Sequence, residues 1–385
     1  MKIIDERKLE GLVDTHVSED VAAGRVLGAA LSVVQDGREV YQKCFGSARV
    51  STKVQVTEKT VYRIASMTKP ITAVAALLLI DRGVLHLDDE ISRFLPQFST
   101  MQIAKLDEDG IPSIIGTAQT PITVRQLLTH TSGIASGPLF ANHYYRKIEE
   151  KDKKTLASMV DFYSRIPISF EPYTTYEYSA TGAFDVLARI IEILTDMPYG
   201  EFLKKEIFLP CDMPDTTFTP CNSQWERMID MHDFVDGKAI LSPSAEGYVF
   251  EKYATSQTAA GAGLSSTLYD YRNFARMLLD EGVFDGKRLL STETVSLMSR
   301  PQAPFWRSPQ QQKWGLGVRV IAGEDYGILP IGTYGWSGAY GTHFWIDPVN
   351  KIAAIYLKNS RFDGGSGNKT GKQLEKDVFD SLINK

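Results

Sequence analysis

The chain has 385 residues, of which 43% are hydrophobic and 23% charged, and this composition is that of a globular protein rather than a disordered one. The net charge of −5, with no long basic run, argues against nucleic acid and anionic membranes as partners, so we expect a small-molecule substrate. No segment reaches the roughly 18 apolar residues of a membrane span, and the N-terminus turns acidic at Asp5 and Glu6 where a signal peptide needs an apolar core, so we predict a cytoplasmic protein.

The three cysteines indicate reduced thiols and give no sign of a metal site. An odd number of cysteines in a long chain does not suggest a disulfide framework, and none has a histidine at the spacing of a metal ligand. The sequence therefore predicts neither a metal ion nor another cofactor. The cysteines are Cys44, Cys211 and Cys221.

The N-terminal part of the chain predicts a helix followed by a hairpin. Residues 7–24 have the apolar spacing of an amphipathic helix, and residues 29–34 and 39–45 have the pattern of two strands. The dipeptide Asp36-Gly37 lies between these strands, and aspartate-glycine between apolar runs favours a tight hairpin.

The stretch from Ser66 to Lys69 carries a hydroxyl and an ammonium one helical turn apart. Residues at i and i+3 lie on one helix face, so a helix that begins near Ser66 places the Lys69 amine beside the Ser66 oxygen. The backbone N–H groups of the first turn would then point at any anion that forms there. This is the arrangement of an activated serine nucleophile.

The same spacing occurs at Ser366 and Lys369, so the pattern alone does not identify a site. Ser366 lies in a glycine-rich stretch that predicts a loop, whereas an apolar run follows Ser66 and ends at Gly83, where a helix C-terminus is expected. Ser66 therefore opens a buried helix. Two interpretations remain, because Ser66 is either a nucleophile or a serine that caps the helix N-terminus.

The middle of the chain differs from both ends. Residues 96–254 are rich in proline and in helix-like apolar spacing, with little sign of strands. Strand patterns return at residues 315–322, 340–347 and 351–358, and residues 373–383 predict an amphipathic helix.

Both ends of the chain are therefore expected to build one sheet. We predict an α/β (α+β) fold in which residues 1–95 and 255–385 form an α/β domain with a central antiparallel sheet. Residues 96–254 are predicted to form a mainly helical domain. We expect the active site in the cleft between the two, where small-molecule pockets usually lie.

Tyr178 precedes a predicted helix over residues 181–191. A phenol close to the Lys69 ammonium would have its ionised form favoured, so Tyr178 could take the Ser66 proton during attack and return it to the leaving group. The chain has 17 tyrosines, and most tyrosines are packing residues, so packing is the alternative interpretation for Tyr178.

A third segment, residues 334–348, combines small and aromatic residues. The small residues at 337–339 would let the backbone approach a substrate, and the N–H of Ala339 could pair with that of Ser66 as an oxyanion hole. The alternative is a glycine-rich turn between two aromatic strands.

These three segments, in this order, resemble the serine hydrolases related to penicillin-binding proteins and class C β-lactamases. Ser-x-x-Lys is the nucleophile box of that family, and the resemblance spans nearly the whole chain. It implies a β-lactamase/transpeptidase-like fold, in which helices flank an antiparallel sheet and a helical region is inserted. It also implies Ser66 as the nucleophile, Lys69 and Tyr178 as the base system, and the Ser66 and Ala339 amides as the oxyanion hole.

Two departures from the class C lactamase pattern bear on the substrate. Ala180 stands where those enzymes carry the asparagine of Tyr-x-Asn, so an amide that would bind the substrate is missing. Trp336, Ser337 and Gly338 stand at the substrate-binding Lys-Thr-Gly box, so a cation that would pair with a carboxylate is missing. This combination is similar to the family VIII carboxylesterases, in which a tryptophan occupies the lysine position, and it implies a small neutral ester as substrate.

Two literal copies of the lactamase boxes lie elsewhere in the chain. The Lys-Thr-Gly at residues 369–371 runs into the terminal helix, and the Tyr-x-Asn at residues 271–273 lies inside a predicted helix over residues 269–279. We interpret both as coincidences.

Other functions remain open for such a site. The resemblance also fits a β-lactamase or D-amino-acid peptidase that takes its cation from elsewhere, an acyltransferase, and a non-catalytic penicillin-binding-like scaffold. Oligomeric state is not predicted. His130 and His343 lie in family-like segments and are expected to be structural hydrogen-bonding residues, although His343 could approach the mouth of the cleft.

Overall fold

The computed structural model describes residues 1–52, 54–242, 259–305, 312–363 and 369–384. The described helices are α1 (Glu6–Ala22), α2 (Thr68–Asp81), α3 (Val124–Leu128), α4 (Leu156–Ser164), α5 (Gly182–Thr195), α6 (Tyr199–Leu203), α7 (Asn222–Arg227), α8 (Leu268–Leu279), α9 (Thr292–Met298) and α10 (Lys369–Asp380). The described strands are β1 (Lys2–Ile4), β2 (Gly28–Gln35), β3 (Arg38–Gly46), β4 (Tyr62–Arg63), β5 (Gln102–Leu106), β6 (Pro112–Thr117), β7 (His232–Val235), β8 (Lys238–Leu241), β9 (Ser265–Ser266), β10 (Val283–Phe284), β11 (Lys287–Arg288), β12 (Gln312–Trp314), β13 (Arg319–Ile321), β14 (Tyr334–Ser337), β15 (His343–Asp347), β16 (Ile352–Lys358) and β17 (Leu382–Asn384).

A seven-stranded antiparallel sheet joins the two ends of the chain. Its strand order is β12-β13-β14-β15-β16-β2-β3, so the N-terminal hairpin pairs directly with the late strand β16. The predicted hairpin is confirmed, and its two turn residues have positive φ values of 51° at Asp36 and 76° at Gly37. Aspartate and glycine tolerate this conformation, which suits the twist of a two-residue hairpin.

Helices cover both faces of this sheet. One apolar cluster joins residues of α2, α5 and α8 to one face of the sheet, where α8 packs directly on β2, β15 and β16, and we call this face the site face. A second cluster packs α1 and α10 against the opposite face, which we call the far face. Every residue of β2 and β16 is buried because both faces are covered. The predicted fold class, an antiparallel sheet flanked by helices, is confirmed.

The helix predicted from Ser66 begins two residues later than expected. A single turn of 3₁₀ helix spans Ala65–Met67, and α2 follows from Thr68 to Asp81. Every residue of α2 from Thr68 to Leu79 is buried, and Gly83 just after the helix has a φ of 68°, as expected for a glycine at a helix C-terminus.

The middle of the chain contains more strand than we predicted. Helices α3 to α7 lie there, but so do the hairpins β5–β6 and β7–β8. Strand β6 is exposed along most of its length, so it has no alternating apolar pattern to reveal it. The domain boundary at residue 254 lies outside the described residues, and the division into two domains stays a prediction.

The C-terminus also differs from the prediction. The terminal helix is Lys369–Asp380 rather than residues 373–383, and the following residues form β17, which pairs Ile383 with Ile3 of β1. This pairing joins residues from opposite ends of the sequence, so no local pattern could predict it. Among the described helices, none combines the length and the apolar character that crossing a bilayer would require.

Candidate active site

Ser66 lies in a strained turn at the start of α2. The preceding residue, Ala65, has a φ of 45°, a left-handed conformation that costs an alanine about 1 kcal/mol or more. The cap residue of α2 is Met67, and no side chain makes a capping hydrogen bond there. The interpretation of Ser66 as a helix cap is therefore wrong, and its partly exposed side chain is available for another role.

The Lys69 side chain is fully buried beside Ser66. Its Nζ lies 3.2 Å from Ser66 Oγ and donates hydrogen bonds to the carbonyl oxygens of Ala180 at 2.6 Å and Gly261 at 2.8 Å. Carbonyl oxygens can only accept, so these two contacts fix two N–H bonds of the amine. The remaining direction on the nitrogen points at Ser66 Oγ, and a neutral amine would aim its lone pair there.

Tyr178 is held against the same oxygen by an aromatic cage. Its hydroxyl lies 2.8 Å from Ser66 Oγ. The Tyr178 ring stacks on Trp314, with 6.1 Å between the ring centroids and an interplanar angle of 14°. Its centroid also lies 4.6 Å from the ring centroid of His130 and 5.6 Å from that of Trp336. Such ring pairs stabilise a fixed orientation of the phenol. The structure thus gives Tyr178 both packing contacts and a hydrogen bond to Ser66.

The late segment places Trp336 and Ser337 on opposite faces of the sheet. Trp336 is 3% exposed and belongs to the apolar cluster of the site face. The Ser337 side chain instead turns to the far face, where its Oγ lies 2.7 Å from Nδ1 of His343. His343 is buried there, so it does not approach the cleft mouth, and its predicted structural role is confirmed.

The backbone after Ser337 reaches the turn that contains Ser66. A Cβ at residue 338 would lie 2.3 Å from the carbonyl oxygen of Ile64, so only glycine allows this approach. Ala339, the next residue, is exposed. The two segments that carry the predicted oxyanion-hole amides are therefore in contact, and the function of these amides stays a prediction.

Asp185 is a buried carboxylate near Lys69 that the sequence analysis missed. It accepts hydrogen bonds from the Ala260 amide at 2.7 Å and the Tyr163 hydroxyl at 3.0 Å. Burial raises the pKa of Asp185 to about 7, and these hydrogen bonds and the charge of Lys69 limit the rise. Asp185 thus fixes the segment whose Gly261 carbonyl binds Lys69. The signal available in the sequence was a single aspartate on the apolar face of the helix predicted over residues 181–191.

The shifted pKa of Asp185 predicts a pH-dependent stability. The folded-state pKa of about 7 lies above the ordinary value of 3.8, so between these values the folded state binds more protons than the unfolded state. The free energy of unfolding of the wild type should therefore fall as pH rises through this window. Relative to Asp185→Asn, which cannot titrate, we expect the wild type to lose about 1–3 kcal/mol between pH 5 and pH 8 in urea unfolding. If the difference in the free energy of unfolding between the wild type and Asp185→Asn stayed constant over this pH range, Asp185 would be ionised throughout.

Among the described residues, no three histidine, cysteine, aspartate or glutamate side chains converge in a way that could hold a metal ion.

Comparisons with known proteins agree with this architecture. An uncharacterized protein of Mycobacterium tuberculosis is 30% identical over 374 residues, which cover 89% of this chain and 88% of that protein. Esterase EstB of Burkholderia gladioli is 26% identical over 389 residues, which cover 94% of each chain.

A solved structure and a family model complete the comparison. The structure of EstCE1, described as a hydrolase with promiscuous acyltransferase activity, superposes with a TM-score of 0.80 at 22% identity and covers 97% of this chain and 99% of that one. The model of the Beta-lactamase family matches residues 13–376, which is nearly the entire chain. The chain therefore belongs to the β-lactamase family of serine hydrolases.

Proposed function

We propose that the protein is a carboxylesterase that acts on small neutral esters through an acyl-enzyme on Ser66. The observation that carries the proposal is the convergence of three groups: Ser66 Oγ lies 2.8 Å from the Tyr178 hydroxyl and 3.2 Å from the Lys69 amine. A nucleophilic hydroxyl within hydrogen-bond reach of two groups that act as bases when deprotonated is the arrangement of covalent catalysis. The likeness to Esterase EstB supports the ester as substrate.

Acylation would begin with attack of Ser66 Oγ on the ester carbonyl. As the O–C bond forms, the Ser66 proton passes to Tyr178 ionised beside the Lys69 ammonium, or to neutral Lys69 itself. The carbonyl oxygen becomes an oxyanion, and the amides of Ser66 and Ala339 would stabilise it. Collapse of this intermediate breaks the ester C–O bond, and the alcohol leaves with the proton held by the base pair.

Deacylation would repeat these steps with water in place of the serine. The base pair takes a proton from water, and the resulting hydroxide attacks the acyl carbonyl. Collapse then releases the carboxylic acid and returns the proton to Ser66 Oγ. A small alcohol or amine that entered in place of water would give acyl transfer, so the same residues support both outcomes.

The preference for a neutral substrate rests on two side chains. Trp336 packs against Tyr178 where a lactamase carries a lysine, so this position offers an apolar ring instead of a cation. Ala180 uses its carbonyl to bind Lys69 and has no side-chain amide to offer a substrate. A substrate carboxylate at this place would lose its solvation without gaining an ion pair, which costs several kcal/mol.

Two chromogenic substrates and mass spectrometry test the proposal. We expect the wild type to hydrolyse p-nitrophenyl butyrate, to cleave a chromogenic cephalosporin poorly, and to carry a butyryl adduct on Ser66 under rapid quench. Fast cephalosporin cleavage would instead identify a β-lactamase or D-amino-acid peptidase. Formation of butyrate esters that exceeds hydrolysis when methanol is added would identify an acyltransferase. No turnover and no adduct would leave a non-catalytic scaffold.

Exchange of Trp336 should change the substrate class. The variant Trp336→Lys restores a cation, and we expect its kcat/KM for the cephalosporin to rise by about 10-fold, which corresponds to about 1.4 kcal/mol of ion pairing, while ester hydrolysis falls. The matched control is Trp336→Met, which has a similar length without charge. An equal gain in both variants would mean that space, rather than charge, excludes the cephalosporin.

A further inference from the structure

A line of buried polar groups runs across the far face of the sheet, from β14 to α10. Ser337 Oγ lies 2.7 Å from Nδ1 of His343, and Nε2 of His343 lies 2.9 Å from a carboxylate oxygen of Glu375. Arg319 and Tyr326 donate hydrogen bonds to the same carboxylate. All five residues are buried, and the proposed acyl transfer on the site face uses none of these side chains.

The charges of this line determine where its protons lie. Burial opposes the ionisation of Glu375, but the Arg319 guanidinium together with the hydrogen bonds from His343 and Tyr326 outweighs it and holds the pKa of that carboxyl down at about 2, so Glu375 is ionised and only accepts. Burial lowers the pKa of His343, which favours the neutral ring. Nε2 of His343 must therefore donate to Glu375, which leaves Nδ1 to accept the proton of the Ser337 hydroxyl. The hydrogen bonds therefore run in one direction, from Ser337 through His343 to Glu375.

The line ends at the base of the turn that carries Ala339. Ser337 and His343 are the last paired residues of β14 and β15, and the intervening turn spans residues 338–342. In this turn the Gly338 amide donates to the Thr342 carbonyl at 2.7 Å, and the Thr342 hydroxyl donates to the Ile64 carbonyl at 3.0 Å. A movement of Ser337 would therefore be passed to Ala339 within two residues.

We propose that Ser337, His343 and Glu375 form a relay that positions the turn of Ala339, and that these three are positioning residues for the oxyanion hole. The inference rests on the proposed function, because Ala339 has a catalytic role only if an oxyanion forms at Ser66. Oxyanion donors act over a narrow range of about 2.7–3.1 Å, so a small shift of the turn removes much of their effect. The relay anchors this turn to α10 through buried groups that solvent does not loosen.

Ser337→Ala is the decisive variant, because it removes one oxygen and leaves the fold of β14 intact. The matched control is Ser32→Ala, since Ser32 is a fully buried serine of the same sheet whose Oγ bonds Glu39 at 3.1 Å. With p-nitrophenyl butyrate we expect Ser337→Ala to lower kcat by about 10-fold or more, with little change in KM. An alkylboronic acid, which forms a tetrahedral adduct on serine, should lose affinity by the same factor. Ser32→Ala should change neither quantity.

Two variants of His343 separate positioning from a loss of packing. His343→Asn keeps an acceptor near the position of Nδ1 for the Ser337 hydroxyl, whereas His343→Leu keeps none, so we expect the asparagine variant to retain more of kcat at a similar unfolding temperature. Equal kcat in Ser337→Ala and Ser32→Ala would overturn the relay. An inactive wild type would overturn the proposed function instead. Amide hydrogen exchange of residues 338–342 then still decides the relay: faster exchange in Ser337→Ala than in Ser32→Ala supports it, and equal rates overturn it.

Discussion

Replacing Ser66 with alanine is expected to lower kcat for p-nitrophenyl butyrate by at least about 10⁴-fold. The substitution removes the oxygen that lies within hydrogen-bond reach of both the Tyr178 hydroxyl and the Lys69 amine. Without it no covalent intermediate forms, and the remaining amides can stabilise only a slow attack by water. The measurement is steady-state hydrolysis together with intact-protein mass spectrometry, in which the butyryl adduct should vanish.

The fold should survive this change, which makes the result interpretable. Ser66 is partly exposed and caps no helix, so its loss removes no buried packing and no capping bond. The unfolding temperature of Ser66→Ala should therefore match that of the wild type. Ester hydrolysis that persists in a well-folded Ser66→Ala, with the adduct on another residue, would refute Ser66 as the nucleophile.

The features predicted best from the sequence are those encoded by local chemistry. The hairpin at Asp36 and Gly37 follows from two residues that tolerate positive φ between apolar strands. Helix α2 follows from an unbroken apolar run with a glycine behind it. The contact of Ser66 with Lys69 follows from the helical spacing, because three residues bring side chains to one face of either a 3₁₀ or an α-helix.

The site features that were missed depend on backbone atoms and on distant pairing. Lys69 donates hydrogen bonds to the backbone carbonyl groups of Ala180 and Gly261. Every residue has a backbone carbonyl group, so residue types alone do not indicate which of them bind Lys69. The stacking of Trp314 on Tyr178 joins segments more than 100 residues apart. The opposite orientations of Trp336 and Ser337 follow from strand alternation, but the assignment of each to a face depends on the register of β14 with β15.

Lys69→Met and Tyr178→Phe are each expected to lower kcat for the ester by about 10²–10⁴-fold. The double variant should lose about as much kcat as the less active of the two single variants. Methionine fills most of the volume of the buried lysine but donates no hydrogen bond, so the Ala180 and Gly261 carbonyls lose their partner. We expect this to reduce the free energy of unfolding by about 1–3 kcal/mol. Phenylalanine keeps the aromatic cage of Tyr178 and removes only its hydroxyl. Steady-state kinetics and urea unfolding of all three variants provide the measurement.

The expected non-additivity follows from the shared oxygen. Both side chains reach Ser66 Oγ, and the Lys69 amine lies 4.8 Å from the centroid of the Tyr178 ring. At this distance the charge of each group affects the protonation of the other. If they act as one base, removing either disables the pair, and removing the second costs little more. The matched control for the lost hydroxyl is Tyr334→Phe, because the buried hydroxyl of Tyr334 donates a hydrogen bond to the Leu278 carbonyl in the core. Losses that multiply in the double variant would instead assign the two groups to separate steps, with one activating Ser66 and the other protonating the leaving alcohol.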